Sequence, residues 1–205
     1  MLKKILFLFT LLFFYAGAQG QQDIYLKKID SLKMAFAKTK TDTTKVNQLN
    51  YISRLYAGIN DAKNGNVYTE KAFALATKIR WNKGIVQSYL LMASQPGADV
   101  VGILNKALSE ALKGDDTLLT GSVYQSLGSA MNDTDKKIQY FKKALNYYKQ
   151  AGNESLQAKI FSQIAYAYEV KGLFFEAVDY RIRVIKMAEK NNNTTALIDG
   201  NRMLG

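Results

Sequence analysis

The stretch from Ala158 to Met187, AKIFSQIAYAYEVKGLFFEAVDYRIRVIKM, decides the fold of this chain. Gly172 divides it into two halves rich in apolar residues, which we interpret as two antiparallel helices joined at a turn. Because two such helices must approach closely, Ala165 in the first and Ala177 in the second are small. The neighbouring aromatic side chains fill the space beside them. The stretch therefore predicts one helical hairpin.

The same pattern recurs along the chain. Copies run over Val46–Ala76, Val86–Leu112 and Gly121–Tyr148; the second is the weakest, because Pro96 ends its first helix early, and the third lacks about three residues between its helices. The central large apolar residues of the first helices follow one another at separations of 40, 35, 37 and 40 residues: Ile52, Met92, Leu127, Ile164 and Leu204. A period of this length is typical of stacked helical hairpins.

In the quoted stretch, large, large, small, aromatic, turn and small residues stand where a tetratricopeptide repeat places them: Phe161, Ile164, Ala165, Tyr168, Gly172 and Ala177. Residues 42–205 resemble that family, with about four repeats and the start of a fifth at Ala196–Gly205. The resemblance implies an all-α, tetratricopeptide-like superhelix of antiparallel helix pairs. The aromatic residues at repeat positions are predicted to pack the core rather than form a ligand cage: Tyr56, Tyr124, Phe141, Phe161 and Tyr168.

Residues 19–41 precede the repeats and are predicted to form an N-terminal capping helix. Tyr25, Ile29, Leu32 and Phe36 recur at spacings of four, three and four residues and form one apolar stripe. We expect Asp42-Thr43-Thr44 to supply the capping side chain of the next helix. At the other end, the fifth repeat lacks a second helix to cover it, which favours a fragment of a longer protein over a natural C-terminus.

Residues 1–18 have the features of a signal peptide. Two lysines precede the apolar run Ile5–Ala16, and Ala16-Gly17-Ala18 matches the small-x-small cleavage pattern, so cleavage is expected before Gln19. The alternative is a membrane anchor, but twelve helical residues reach only about 18 Å, whereas the hydrocarbon core of a bilayer is about 30 Å thick. The protein is therefore predicted to be periplasmic or secreted, without a transmembrane span.

The composition excludes several classes of chemistry. The chain contains no cysteine and no histidine, so thiol nucleophiles, disulfides, imidazole bases and zinc clusters cannot be built. No constellation of nucleophile and base can be named, which predicts a non-enzyme without cofactor, metal or small-molecule substrate. The net charge of +11 falls to +9 without Lys3 and Lys4. Because the lysines are dispersed and the signal directs export, nucleic-acid binding is not expected.

Tetratricopeptide arrays hold proteins or peptides in a concave groove lined by the first helix of each pair. Transferring the repeat positions predicts these groove residues: Asn47, Asn50, Tyr51, Arg54, Gln87, Gln125, Ser129, Lys159, Gln163 and Tyr166. Their amides, hydroxyls and rings favour an extended protein segment over a carboxylate end, since only two of them are charged. The alternatives are that these residues merely face water, or that partners use a basic surface around Lys136, Lys137, Lys142 and Lys143.

A narrower resemblance concerns the exported N-terminal repeat regions of bacterial membrane-bound histidine kinases and transcriptional regulators. It rests on the D-T-T-K opening at Asp42–Lys45 and on the motifs Glu70-Lys71-Ala72 and Lys83-Gly84-Ile85. It implies a sensor arm that continues into a membrane span and an output domain. Two hypotheses therefore stand, a free exported protein-interaction module and the periplasmic sensor arm of a truncated signal transducer.

Overall fold

The computed structural model describes the backbone of residues 2–190 and the side chains of residues 20–190. Every regular element in this part of the chain is an α-helix: α1 (Leu2–Lys38), α2 (Asp42–Gly58), α3 (Ala62–Lys78), α4 (Asn82–Ala93), α5 (Val100–Ala111), α6 (Thr117–Ala130), α7 (Thr134–Gln150), α8 (Glu154–Val170) and α9 (Phe174–Lys190). The predicted all-α class is confirmed. Among the residues described, no helix is both long and apolar enough to cross a membrane.

The helix starts reproduce the sequence period. Helices α2, α4, α6 and α8 begin at residues 42, 82, 117 and 154, so they are separated by 40, 35 and 37 residues. Each of the four marker residues within this range is consequently the eleventh residue of its helix: Ile52, Met92, Leu127 and Ile164. The fifth member of the series, Leu204, and the predicted helix Ala196–Gly205 lie outside the described residues.

The chain divides into two compact units, Met1–Ala98 and Asp99–Gly205. The boundary falls inside the second predicted repeat, so that α4 belongs to the first unit and α5 to the second. Pro96 lies in the segment between these helices, where its ring and missing N–H end α4 after twelve residues. The weakest copy of the repeat in the sequence is thus the one that the structure divides.

In the first unit, α1 packs on α2 through the predicted apolar stripe. Ile29 is fully buried in a cluster with Ile52, Leu55 and Tyr56, and Tyr25 and Leu32 pack against that cluster. The stripe buries α1 because its residues return to the same side of the helix every three or four positions. The expected capping helix is therefore present as the last part of a longer helix.

In the second unit, α6 to α9 form two successive helical hairpins around one core. The predicted packing residues Phe141 and Phe161 are buried in that core, and Tyr124 and Tyr168 pack against it. Helix α6 has 14 residues and α8 has 17, whereas both connections to the following helix contain three residues. The residues missing from the third repeat are therefore taken from the end of α6 and not from its turn.

Side-chain caps define the starts of five helices. Asp61, Asp99, Asp116, Asp133 and Asn153 each accept a hydrogen bond at their side chain from the backbone N–H three residues later. The prediction for α2 was wrong, since its N-cap is Thr41 and the Thr41 side chain does not cap the helix. The Thr41 hydroxyl instead hydrogen-bonds Thr44 Oγ1 at 2.5 Å.

The predicted turn at Gly172 is confirmed. Gly172 has φ of 73°, a left-handed conformation that glycine adopts without steric cost. This geometry lets the Leu173 N–H donate to the Tyr168 carbonyl at 3.0 Å, which satisfies the end of α8 and sends the chain back as α9.

Candidate functional site

A pocket of about 390 Å³ opens on the second unit between α6 and α8, above α7. Its lining combines hydroxyl, amide, ammonium and aromatic side chains: Ser129, Lys137, Phe141, Lys159, Ser162, Gln163 and Tyr166. Ligand pockets in proteins commonly have volumes in this range. Four of the predicted groove residues, from two different helices, therefore share one cavity.

The floor of the pocket is the ring of Phe141, which is otherwise buried in the core of the unit. A glycine on α6 permits this position. A Cβ atom at Gly128 would lie 2.6 Å from the Phe141 ring and 3.3 Å from the Lys137 carbonyl oxygen. Because neither distance leaves room for a methyl group, Gly128 sets the close approach of α6 to α7 and hence the depth of the pocket.

A chain of hydrogen bonds holds one wall of the pocket. The Tyr148 hydroxyl donates to Gln125 Oε1 at 2.9 Å, and Gln125 Nε2 donates to Gln163 Oε1 at 2.9 Å. Burial raises the pKa of Tyr148 above its ordinary value, with a smaller opposing effect from its hydrogen bond to Ser122. Tyr148 therefore stays neutral and remains a donor at physiological pH. The Gln163 amide is oriented before any partner arrives.

The rim of the pocket is aromatic and positively charged. Tyr166 is 64% exposed although it lies on a helix whose neighbouring residues are buried. Lys137 from α7 and Lys159 from α8 also line the opening, and no acidic side chain among the described residues does so. The pocket thus offers an apolar floor, an oriented amide and two cations around an exposed ring.

The first unit places its predicted groove residues differently. Asn47, Tyr51 and Arg54 are exposed on α2, and Tyr51 lines a depression of about 480 Å³ shared with α1. Gln87 is half-buried, and its Oε1 is buried without a hydrogen-bond partner in the described part of the chain. The predicted groove residues of this unit therefore do not line one common pocket, whereas four of those in the second unit do.

Two predicted groove residues connect helices. Asn50 is only 1% exposed, and its Oδ1 accepts a hydrogen bond from the Ser88 hydroxyl of α4 at 3.2 Å. This corrects the expectation that its amide faces a partner. Gln125 occupies the same position of α6, the ninth, and its Nε2 donates to Gln163 Oε1 of α8 at 2.9 Å. An amide at this position ties one first helix to the next.

Sequence reasoning placed Lys137 on a basic surface, whereas it lines the pocket with Phe141, one helical turn away. A spacing of four residues on one helix was the available signal. Two other lysines of that predicted surface lie over tyrosine rings. Lys142 Nζ is 5.9 Å from the centre of Tyr168, and Lys143 Nζ is 5.5 Å from the centres of Tyr124 and Tyr140.

Comparison with known proteins rests on structure, because no family model and no curated protein sequence matches this chain. A Rap protein complexed with Competence and Sporulation Factor matches with a TM-score of 0.73 and 19% identity, over 87% of this chain and 53% of that protein. Aspartyl phosphate phosphatase F from Bacillus subtilis matches with a TM-score of 0.75 and 18% identity, over 90% and 52% respectively. This chain thus spans about half the length of either protein.

A third match names the repeat. It is a signal-transduction ATPase of the STAND class with a tetratricopeptide repeat sensor, from Pyrococcus horikoshii, with a TM-score of 0.71 and 19% identity over 89% of this chain and 30% of that protein. The chain has the tetratricopeptide-repeat fold. At these identities the tetratricopeptide likeness establishes the architecture, and what the chain binds must be argued from its own side chains.

Proposed function

We propose that this chain is an exported protein-interaction module that holds a segment of a protein or peptide in the pocket of its second unit. The single observation that carries the proposal is the convergence of α6, α7 and α8 on one cavity with a buried aromatic floor and an exposed aromatic rim. Aromatic side chains commonly dominate the binding energy of protein interfaces, because they bury a large apolar area with few torsions to fix.

The lining also suggests the chemistry of the segment. An apolar side chain of the partner would lie on Phe141, and a main-chain or side-chain amide would pair with Gln163. The two lysines on the rim favour an acidic group nearby, since none of the described side chains that line the pocket is a carboxylate. We therefore expect the bound segment to contain an apolar residue next to an acidic one. The acidic residue would add an ionic contribution to the binding free energy, which the amides and hydroxyls of the groove alone do not predict.

We also propose that the protein is not an enzyme and needs no cofactor. The pocket contains hydroxyl, amide, ammonium and aromatic groups, and the chain has no histidine or cysteine that could serve as a base or a nucleophile there. The Rap protein was solved with a bound factor and the second neighbour is named as a phosphatase, so the fold is compatible with either outcome. The side chains of this pocket favour binding.

Tyr166→Ala should weaken peptide binding at least tenfold and leave the melting temperature nearly unchanged. The ring is exposed, so its loss removes area that contacts the peptide without creating a cavity in the core. Random linear peptides displayed on phage provide the probe. Peptides selected on the wild-type protein would be synthesised and titrated against both proteins by fluorescence anisotropy. Raised ionic strength should weaken binding moderately, through Lys137 and Lys159.

Phe175→Ala is the matched control, since it removes an aromatic ring of the same unit that is 93% exposed and lies on α9, outside the pocket. Binding to this variant should equal binding to the wild type. Selected peptides that bind Tyr166→Ala as tightly as the wild type, and lose affinity for Phe175→Ala, would move the site to α9 and refute the pocket.

Export is part of the proposal and rests on the apolar run Ile5–Ala16 and the pattern Ala16-Gly17-Ala18. Expression in a Gram-negative host should place the protein in the periplasm with Gln19 at its N-terminus, as measured by intact-mass spectrometry of the fractionated cells. A replacement of Ala18 by a bulky residue should block processing and retain the precursor. An unprocessed wild-type chain recovered from the cytoplasm would contradict the proposal.

The second candidate function is the sensor arm of a membrane-bound histidine kinase or DNA-binding regulator. It is favoured by an uncovered apolar stripe on α9, formed by Phe174, Val178 and Ile182 at intervals of one turn. Val178 is 43% exposed, whereas Ile138, the residue at the same position of α7, is 5% exposed in the core that includes α8. A further helix on this stripe would bury it, and residues 196–205 are predicted to begin one.

Sequencing the native locus downstream of the codon for Gly205 tests this second candidate. An open frame that encodes further repeats, a long helix and an apolar span would support the sensor arm. A stop codon at that point would leave the free module.

A further inference from the structure

The first unit also contains an open pocket of about 470 Å³ between α1, α2 and α3. Its base and sides are apolar, and Lys33, Tyr68 and Lys71 add polar groups to its lining. Leu49 and Ile52 of α2 form the buried base, and Phe36 of α1 and Leu75 of α3 form the sides. When an apolar group enters a cavity of this size and displaces its water, the binding free energy becomes more favourable in proportion to the apolar area that is covered.

Two ammonium groups stand beside this apolar cavity. Lys33 Nζ is 5.9 Å from the centre of the Tyr68 ring, and Lys71 Nζ is 5.2 Å from the same centre. Both ammonium groups therefore lie beside one aromatic ring. Lys33 Nζ also donates to the Tyr56 hydroxyl at 3.0 Å, which fixes its position. The same hydrogen bond raises the pKa of Lys33 above its ordinary value, so its positive charge is retained.

The carboxylates near these cations leave the charge largely uncompensated. Asp30 lies 3.8 Å from Lys33 Nζ and is mostly exposed to solvent, and the described residues that line the cavity include no acidic side chain. Within the part of the chain whose side chains are described, no ion pair involves Lys71. An anion placed beside Tyr68 would therefore meet two cations.

We propose that this pocket binds a small amphiphile of the fatty-acid class, with its alkyl chain on Leu49 and Ile52 and its carboxylate between Lys33 and Lys71. The ligand class follows from the combination of a buried apolar base with a pair of cations at one side, since an alkyl carboxylate has both parts in that order. The site departs from the expectation that the chain takes no small molecule, and it is independent of peptide binding in the second unit.

Isothermal titration of the purified protein with decanoate, below its micelle concentration, should show one binding site per chain. Lys71→Gln should weaken decanoate binding about five- to tenfold, because it removes one of two partly exposed charges that face the carboxylate. Decanol, which has the same alkyl chain without the charge, should bind the wild type more weakly and should not respond to Lys71→Gln. Raised salt should weaken decanoate alone.

Lys78→Gln is the matched control, because it removes the same charge from the same helix at an exposed position outside the pocket lining. It should bind decanoate as the wild type does. A second variant, Ala74→Phe, places a ring at the pocket lining and should abolish the binding of both decanoate and decanol without loss of helical circular dichroism.

Several outcomes would overturn the proposal. Decanoate binding that is unchanged by both Lys71→Gln and Ala74→Phe would place the ligand elsewhere. Because alkyl-chain burial can have an enthalpy near zero at one temperature, the absence of any heat of binding in titrations at two well-separated temperatures would exclude the fatty-acid class. Preference for a peptide with a C-terminal leucine carboxylate over decanoate would identify the pocket as a peptide site. Peptides selected on the second unit should bind Lys71→Gln normally, so failure here is distinguishable from failure of the proposed function.

Discussion

Ala165→Trp is expected to lower the free energy of unfolding of the protein by about 3 kcal/mol or more. Ala165 is completely buried as the twelfth residue of α8. Gly128 holds the twelfth position of α6, where even a Cβ atom would lie 2.6 Å from the Phe141 ring of the next helix. This position therefore faces the partner helix of its hairpin at close range, and an indole ring can be accommodated only if the hairpin opens.

Chemical denaturation followed by circular dichroism measures the effect, and the melting temperature should fall by at least about 10 °C. Ser155→Trp adds the same ring at an exposed position in the first turn of the same helix and should change the unfolding free energy by less than about 0.5 kcal/mol. Equal stability of the two tryptophan variants would show that α8 and α9 do not pack closely at Ala165.

Ile164→Ala is expected to cost about 2–5 kcal/mol of unfolding free energy. Ile164 is fully buried in the core cluster that joins α7, α8 and α9, and shortening it removes apolar contact area and leaves a cavity among the helices. The predicted loss is large because the residue is surrounded on several sides, so its neighbours cannot all move in to fill the space.

Urea denaturation should show a lower midpoint for Ile164→Ala with an unchanged slope, the behaviour of a variant that changes stability without changing the area exposed on unfolding. Val170→Ala on the same helix is the control, because that side chain is mostly exposed and its truncation should cost less than about 0.5 kcal/mol. A loss below about 1 kcal/mol at Ile164 would contradict the core position that the repeat series assigns to it.

The success of the repeat series has a local cause. Each of the four described marker residues is the eleventh of its helix, because the start of each helix and its apolar face are set by residues close together in sequence. The same reasoning placed Ile29 on the buried side of α1, and the aromatic residues of the repeats in or against the core. It failed for the cap of α2, where the Thr41 hydroxyl pairs with Thr44 instead.

Part of the lining of the candidate pocket coincides with predicted groove residues. Ser129, Lys159, Gln163 and Tyr166 were predicted from the positions of first helices, and all four line it. Lys137 was assigned to a different surface, because groove residues were predicted only from the first helix of each repeat, and Lys137 belongs to a second helix. Nothing within α7 alone tells which neighbouring helix its Lys137 will face.

The sequence by itself determined the all-helical class, the period of the repeats and most of the core. These properties depend on the order of apolar, small and turn-forming residues within one hairpin. That order can be recognised in each segment of the sequence separately. Tertiary structure alone decided that Asn50 is buried against Ser88 and that Gln125 holds Gln163. It also placed Lys33 and Lys71 beside the same Tyr68 ring at one side of an apolar cavity. Each of these depends on which helices pack together and how closely, and the paired side chains are 38 residues apart along the chain.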